Sequence, residues 1–377
     1  MRESSRHINP GPTEVIALNS RIVDVRLGTR DIGPTRPCFV IAEAGVNHNG
    51  DPDRAHALVD AAASAGADAV KFQTFKTECL VTRHAPKAGY QLETTGSLDP
   101  AQAAMLKALE LSPGVHRSLM AHCAARGILF LSTPYDWASA RLLHGLGIAG
   151  LKIASTDTTN LPFLRQLDTL GLPIVLSTGM CDLGEVREAV AAMSATRQAN
   201  RLVILQCTSQ YPSPEDQLDL RAIQTMSDEF ACPVGFSDHT TGIEIAAWAV
   251  AAGAVTIEKH LTLDRSLPGP DHRASLEPAE LARMVADIRR VEVTLGDGLK
   301  RIQDVERPNK SAMQKSLVMA RSLPKGVALS HNDVLCKRPA TGLHPKYLDS
   351  VIGKQLRRDV PMDAPLTAED LVDWTPM

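Results

Sequence analysis

The chain has 377 residues, 44% of them hydrophobic and 22% charged, enough to bury the core of one large folded unit and a small one. Its 40 lysines and arginines against 43 acidic residues leave a net charge of -3, which excludes a general electrostatic case for binding nucleic acid or an anionic membrane. No apolar run approaches the roughly 20 residues of a membrane-spanning helix, the polar start Met1-Arg-Glu-Ser-Ser-Arg lacks the apolar core of a signal peptide, and seven cysteines without a Cys-x-x-Cys pair argue against a disulfide framework or a zinc ribbon. A reducing cytoplasm is the expected home.

Residues 1–37 form an N-terminal extension in which Val15-Ile-Ala-Leu and Arg21-Ile-Val-Asp-Val-Arg-Leu alternate like a hairpin able to plug the bottom of a barrel. From 38 to 298 the sequence alternates short β-rich runs with longer alanine- and leucine-rich segments of helical spacing. The expected strands are 38–44, 68–74, 128–133, 151–155, 173–178, 202–208, 233–237 and 254–260. Several are almost continuously apolar, as in Phe39-Val-Ile-Ala and Leu202-Val-Ile-Leu, the pattern of parallel strands buried on both faces. Asp51-Pro-Asp-Arg opens the first intervening helix and Gly66 closes it. Eight such units predict an α/β fold, the (β/α)8 TIM barrel. The competing open doubly wound sheet usually carries a Gly-x-Gly-x-x-Gly turn after its first strand, and none stands there. Residues 77–100 read as a long polar insertion of the kind that serves substrate binding. Residues 299–312 read as a linker, and 313–377 as a compact, mostly β module. In that module Ala328-Leu-Ser-His-Asn-Asp-Val and Pro365-Leu-Thr-Ala-Glu-Asp-Leu suggest two related halves.

Nearly all the polar residues of the barrel segment fall at the carboxyl ends of the expected strands: Glu43, Lys71, Gln73, Thr133, Lys152, Ser155, Ser177, Thr208, Ser237, His239 and His260. Barrel enzymes place their catalytic groups at this face. Lys71 and Lys152 lie inside apolar strands, where an unpaired ammonium is costly to desolvate. A phosphate held with Thr133, Ser155 and Ser177 would satisfy them; the alternative is pairing with a carboxylate such as Glu43 or Glu258. His239 and His260 close consecutive strands, which fits either a divalent metal with open positions (manganese, magnesium or cobalt) or two satisfied core imidazoles. Asp271, in a loop rich in glycine and proline, could accept hydrogen bonds from a sugar or serve only the turn, and Tyr211 could stack on a sugar or pack its loop. Cys207 reads as core.

Ile41-Ala-Glu-Ala-Gly-Val-Asn-His-Asn-Gly, Lys71-Phe-Gln-Thr, Ser132-Thr-Pro-Tyr-Asp, Lys152-Ile-Ala-Ser, Leu176-Ser-Thr-Gly-Met, Gly235-Phe-Ser-Asp-His-Thr and Glu258-Lys-His resemble, in order, motifs of the sialic acid synthase family. Lys337-Arg-Pro-Ala-Thr-Gly and Gly353-Lys-Gln-Leu look like that family's antifreeze-like (SAF) domain, a small β-clip fold. The resemblance implies condensation of phosphoenolpyruvate with an open-chain N-acylamino sugar to a 2-keto-3-deoxy nonulosonic acid, with phosphate released by C–O cleavage. It implies His239 and His260 as metal ligands, manganese first, and Glu43 as the group that deprotonates water. It implies Lys71, Thr133, Lys152, Ser155, Ser177 and Ser237 on phosphoenolpyruvate, and Gln73, Tyr211 and Asp271 on the acceptor. It further implies a domain-swapped homodimer in which Arg338 reaches the acceptor's acyl group in trans. Asp157 and Ser209 stand where members using N-acetylmannosamine commonly have glutamate and asparagine, which points to a larger acceptor such as a 2,4-diacetamido sugar. A Schiff-base barrel aldolase or lyase and a catalytically silent sugar-binding relative are the competing readings.

Overall fold

A computed structural model describes residues 22–82 and 102–375. The chain divides into two compact units, Met1–Gly296 and Asp297–Met377. In the first, eight parallel strands close into a barrel: β3 (Phe39–Gly45), β4 (Ala69–Thr74), β5 (Leu129–Pro134), β6 (Leu151–Ile153), β7 (Ile174–Ser177), β8 (Leu202–Cys207), β9 (Val234–Asp238) and β10 (Thr256–His260), with β10 paired back onto β3. Each strand lies within two residues of its expected bounds. Strand β6 ends early because Ser155–Asp157 winds into a 3-10 turn.

Among the described residues two strands precede the barrel, β1 (Val25–Leu27) and β2 (Arg30–Ile32), joined by the two-residue turn Gly28-Thr29. Gly28 takes the left-handed φ of +57° that such a hairpin turn needs. Val25–Leu27 of the expected hairpin thus pairs with Arg30–Ile32, and Val15-Ile-Ala-Leu lies outside the described residues. Val25, Leu27 and Ile32 are fully buried against Phe39, Ile41, Leu131, Val175 and Val203, so the hairpin does close the barrel's bottom. Of the insertion after the second strand, Thr77–Leu80 forms one helical turn and 83–101 lie outside the described residues.

Side chains alternate across each strand, and outward ones such as Val40, Val70, Ile204 and Phe236 pack under the helices. The first of these helices, Pro52–Ser64, starts where the Asp51 carboxylate accepts from the backbone N–H of Asp53 and Arg54. The last, Pro278–Leu295, ends at Gly296. The inward series changes character along the strand: Phe39 and Ile41 lead to Glu43, Ala69 to Lys71, Leu131 to Thr133, Val175 to Ser177, and Val203 and Leu205 to Cys207. The barrel is apolar below and polar on top.

In the second unit, residues 307–313 form a helix where the sequence reads as linker; Gln303 and Glu306 cap the turn before it. Strands β11 (Ser316–Met319) and β12 (Val334–Lys337) pair antiparallel, and isolated bridges join Val318 to Pro365, Leu323 to Val360, Ala328 to Gln355 and Leu356 to Leu371. The two halves repeat one device. Asp333 caps a 3-10 turn by accepting from Ser330 and takes Arg321 Nε at 2.7 Å; Asp370 does the same with Thr367 and with Arg358 Nε at 2.6 Å, each arginine 12 residues before its aspartate. The hydrogen bonds from Ser330 and the charge of Arg321 hold the Asp333 carboxyl at about 2, so its stabilisation is present above the ordinary value of 3.8 and lost as pH falls through about 2. Asp333→Ala is expected to cost about 2 kcal/mol, the worth of charge-assisted bonds at a cap, read by urea unfolding of the full chain at neutral pH. An unchanged midpoint would show the cap to be ornamental.

Candidate active site

A cavity of about 780 Å³ opens at the carboxyl ends of the barrel strands. Glu43, Lys71, Gln73, Thr133, Lys152, Ser155, Ser177, Ser209, Tyr211, Ser237, His239, His260 and Asp271 all line it, so period-2 alternation brings residues separated by more than 200 positions to one wall. Of the expected site residues in this unit, Asp157 is not brought there. Asp157 ends the 3-10 turn after β6, which advances a third of a revolution per residue; Ser155 and Thr156 line the cavity while the Asp157 carboxylate turns back to accept from Asn160 Nδ2 at 3.0 Å. Arg338 is an exposed residue of the second unit, just before the cis bond to Pro339.

At the cavity floor Lys71 Nζ lies 2.9 Å from Glu43 and 3.6 Å from Glu258, while Lys152 Nζ lies 3.7 Å from Glu258 and donates to Ser177 Oγ at 2.6 Å and to the Ile153 carbonyl at 3.0 Å. The pairing with Glu43 and Glu258 left open by the sequence is therefore present. Lys71 also donates to Thr133 Oγ1 at 3.3 Å, and Ser155, Ser177 and Ser237 face the same space with hydroxyls. Burial works against charge on every one of these groups, and their neighbours sort them. Burial pushes Glu43 up to about 7 against the pull of Lys71, whereas Lys152 and Lys71 outweigh burial at Glu258 and hold it at about 2. Burial lowers Lys152, with Glu258 opposing; Lys71, beside both carboxylates, is raised.

The two imidazoles face each other across 5.5 Å, with the Tyr211 ring 4.2 Å from His239 and 5.7 Å from His260. His239 Nδ1 meets the Thr208 carbonyl at 2.8 Å and so donates there, which leaves Nε2 as the basic nitrogen. Burial and the neighbouring His239 and Lys71 hold His260 well below its usual range, in the neutral form. Its Nδ1 is buried without a hydrogen-bond partner among the described residues. Burial lowers His239 too, but the neighbouring Cys207 and the Thr208 carbonyl outweigh it and leave that imidazole raised; no group of three His, Cys, Asp or Glu at ligand spacing occurs among the described residues. An ion held by these two imidazoles would have its remaining positions open to water or substrate oxygens, unlike a closed structural site.

Two further residues belong to the wall. Glu258 alternates with His260 on β10, a signal present in the sequence. Cys207, read there as core, faces the cavity beside Ser155 at 3.6 Å and His239 at 3.8 Å; burial raises its thiol, but His239 outweighs burial and brings it to about 7. Asp271 sits across from these groups, its carboxyl pushed by burial up to about 6.

The model of the NeuB family matches residues 58–300, and that of the SAF domain matches 314–372. The N,N'-diacetyllegionaminic acid synthase of Legionella pneumophila is 45% identical over 332 residues, covering 87% of this chain and 93% of that protein. The synthase of the same name from Campylobacter jejuni is 44% identical over 319 residues, covering 84% and 95%. The crystal structure of an N-acetylneuraminic acid synthetase from Leptospira borgpetersenii in complex with citrate superposes with a TM-score of 0.68 at 36% identity, covering 76% of this chain and 95% of that one.

Proposed function

Because the chain belongs to the NeuB family and carries its SAF domain, we propose that it condenses phosphoenolpyruvate with an open-chain N-acylamino sugar to a 2-keto-3-deoxy nonulosonic acid, releasing phosphate. The observation that carries this reading is the convergence of Lys71, Lys152, four hydroxyls and two imidazoles on one cavity. Phosphoenolpyruvate brings a phosphate and a carboxylate to balance the lysines, and Thr133, Ser155, Ser177 and Ser237 supply neutral donors for their oxygens. In the reaction C3 of the enol forms a bond to the aldehyde carbon, whose oxygen gains a proton; water adds to C2, and the C2–O bond to phosphate breaks. Glu43, at about 7, is poised to take the proton of that water at neutral pH. His239 and His260 would hold a divalent ion, manganese in our reading with magnesium or cobalt as substitutes, and it would supply polarisation of an aldehyde or water oxygen. Gln73, Ser209, Tyr211 and Asp271 would contact the acceptor.

The acceptor we propose is a 2,4-diacetamido sugar in preference to N-acetylmannosamine, from the kinship to two N,N'-diacetyllegionaminic acid synthases. Ser209, on the wall, is the departure that bears on this; Asp157 is one layer behind it. We further propose a domain-swapped homodimer in the cytoplasm, the partner copy offering Arg338 to the acyl group. Exposed Val293 (84%), Leu299 (61%) and Val305 (84%) favour an association, and seven free thiols favour a reducing compartment. Among the described residues no helix is long and apolar enough to cross a membrane.

The test is phosphate release from phosphoenolpyruvate with manganese and a panel of acylamino hexoses, followed by the mass of the product. Release dependent on a diacetamido sugar and abolished by a chelator is expected. Lys152, the amine that burial lowers, gives the Schiff-base reading its foothold. A borohydride-trapped adduct on it, with activity surviving the chelator, would transfer the function to that class.

A further inference from the structure

The run Val46-Asn-His-Asn-Gly contributes only Val46 to the cavity wall, yet its two asparagines are among the most closely bonded polar groups in the barrel. Asn47 is 1% exposed and donates through Nδ2 to the Leu261 carbonyl and to Ser275 Oγ, both at 2.9 Å. Ser275, also 1% exposed, passes its proton to the Asp271 carbonyl at 2.6 Å. Asn49 donates to the Pro268 carbonyl at 2.8 Å, and its Oδ1 meets His272 Nε2 at 3.2 Å. Because that oxygen can only accept, His272 carries its proton on Nε2 and accepts at Nδ1 from Thr262 Oγ1 at 2.7 Å. Gly269 lets the loop approach this closely, since a Cβ there would lie 2.9 Å from Asn49 Oδ1 and 2.7 Å from His272 Cδ2.

The bonds of Asn47 and Asn49 run from the loop after β3 to the loop after β10, which begins next to His260 and presents Asp271 to the cavity, and those of Ser275 and Thr262 extend them within that second loop. A loop that needed only to be anchored would be served by its backbone pairing of Leu261 with Leu276. A buried amide with two donors aimed at two points of the loop fixes it in register as well. Resting on the reading that this cavity binds an acceptor sugar, we propose that Asn47 and Ser275 are positioning residues that set Asp271 against the acceptor, with Asn49 and His272 as a second strut. They touch no substrate. Asn47 links the Leu261 carbonyl, beside the candidate ion site, to the Asp271 backbone, so acceptor and ion sites share one spacer.

The test compares Asn47→Ala and Ser275→Ala with wild type in full-chain phosphate release. The Michaelis constant for the diacetamido acceptor is expected to rise about tenfold or more, while that for phosphoenolpyruvate stays within about twofold and Tm falls only a few degrees. In an Asp271→Ala background, adding Asn47→Ala is expected to change the acceptor constant no further, the non-additivity of a residue acting through another. Additive effects, or equal losses for both substrates, would overturn the proposal; if Asn47→Ala fails to fold, Ser275→Ala carries the same comparison. A wild-type chain that releases no phosphate with any acceptor overturns the function reading itself, and this proposal with it. A working enzyme with additive variants overturns this one alone.

Discussion

His260→Ala and His239→Ala are each expected to lose divalent-ion affinity by more than about 100-fold, since even outer partners of a metal ligand are worth about 10–100-fold. Turnover should fall with it by about 10³, the scale of removing a principal electrostatic group from a site. The fold should survive. Both imidazoles line the cavity above the apolar layers, and His260 Nδ1 has no hydrogen bond among the described residues to forfeit. Calorimetric titration with manganese reads the affinity without reference to activity, and circular dichroism reads the fold. Unchanged manganese affinity in either variant would remove that imidazole from the ion site, whatever happened to the rate.

Lys71→Met is expected to damage stability and substrate binding together. Glu43 and Glu258 lie 2.9 and 3.6 Å from that ammonium and are 2% and 4% exposed, so its loss strands buried carboxylates at a cost of about 3–5 kcal/mol. The loss depends on pH in a definite sense. Burial already places Glu43 at about 7 against an ordinary 4.5, and without Lys71 it rises further; an acid whose folded value is raised is most stable below 4.5 and loses stability as pH climbs towards the folded value. The deficit against wild type should therefore be larger at about pH 8 than at about pH 5 in urea unfolding. Adding Glu43→Gln removes one stranded charge and should recover much of the stability, yet no turnover, because the phosphate's counter-charge and the water's proton acceptor are then both gone. Recovery of turnover in the double variant would sink both roles. A deficit shrinking as pH rises would mean that the carboxylates are not the stranded groups.

Asp157 and Cys207 mark where sequence reading reached its limit. Along a strand the side-chain period is fixed at two, so once Glu43, Lys71, Ser177 or His260 is placed near a strand's end its direction follows, and Glu258 follows from His260 by the same step. Beyond the strand that regularity ends. The 3-10 turn after β6 turns Asp157 onto Asn160 instead of the cavity, and nothing in Ser155-Thr-Asp announces the turn. Cys207 is apolar by type and alternates inward by position, and only its neighbours Ser155 and His239 make it part of a polar wall.

The sequence alone determined the eight βα units, the layer of polar strand ends and the two similar seven-residue pieces of the second unit, because periodicity and turn signals act over a few neighbouring residues. Tertiary structure decided that Glu258 bridges toward Lys71 and Lys152 and that Asn47 ties two loops together. Those are contacts between residues dozens to hundreds of positions apart. Their geometry is set by barrel closure, which no local pattern encodes.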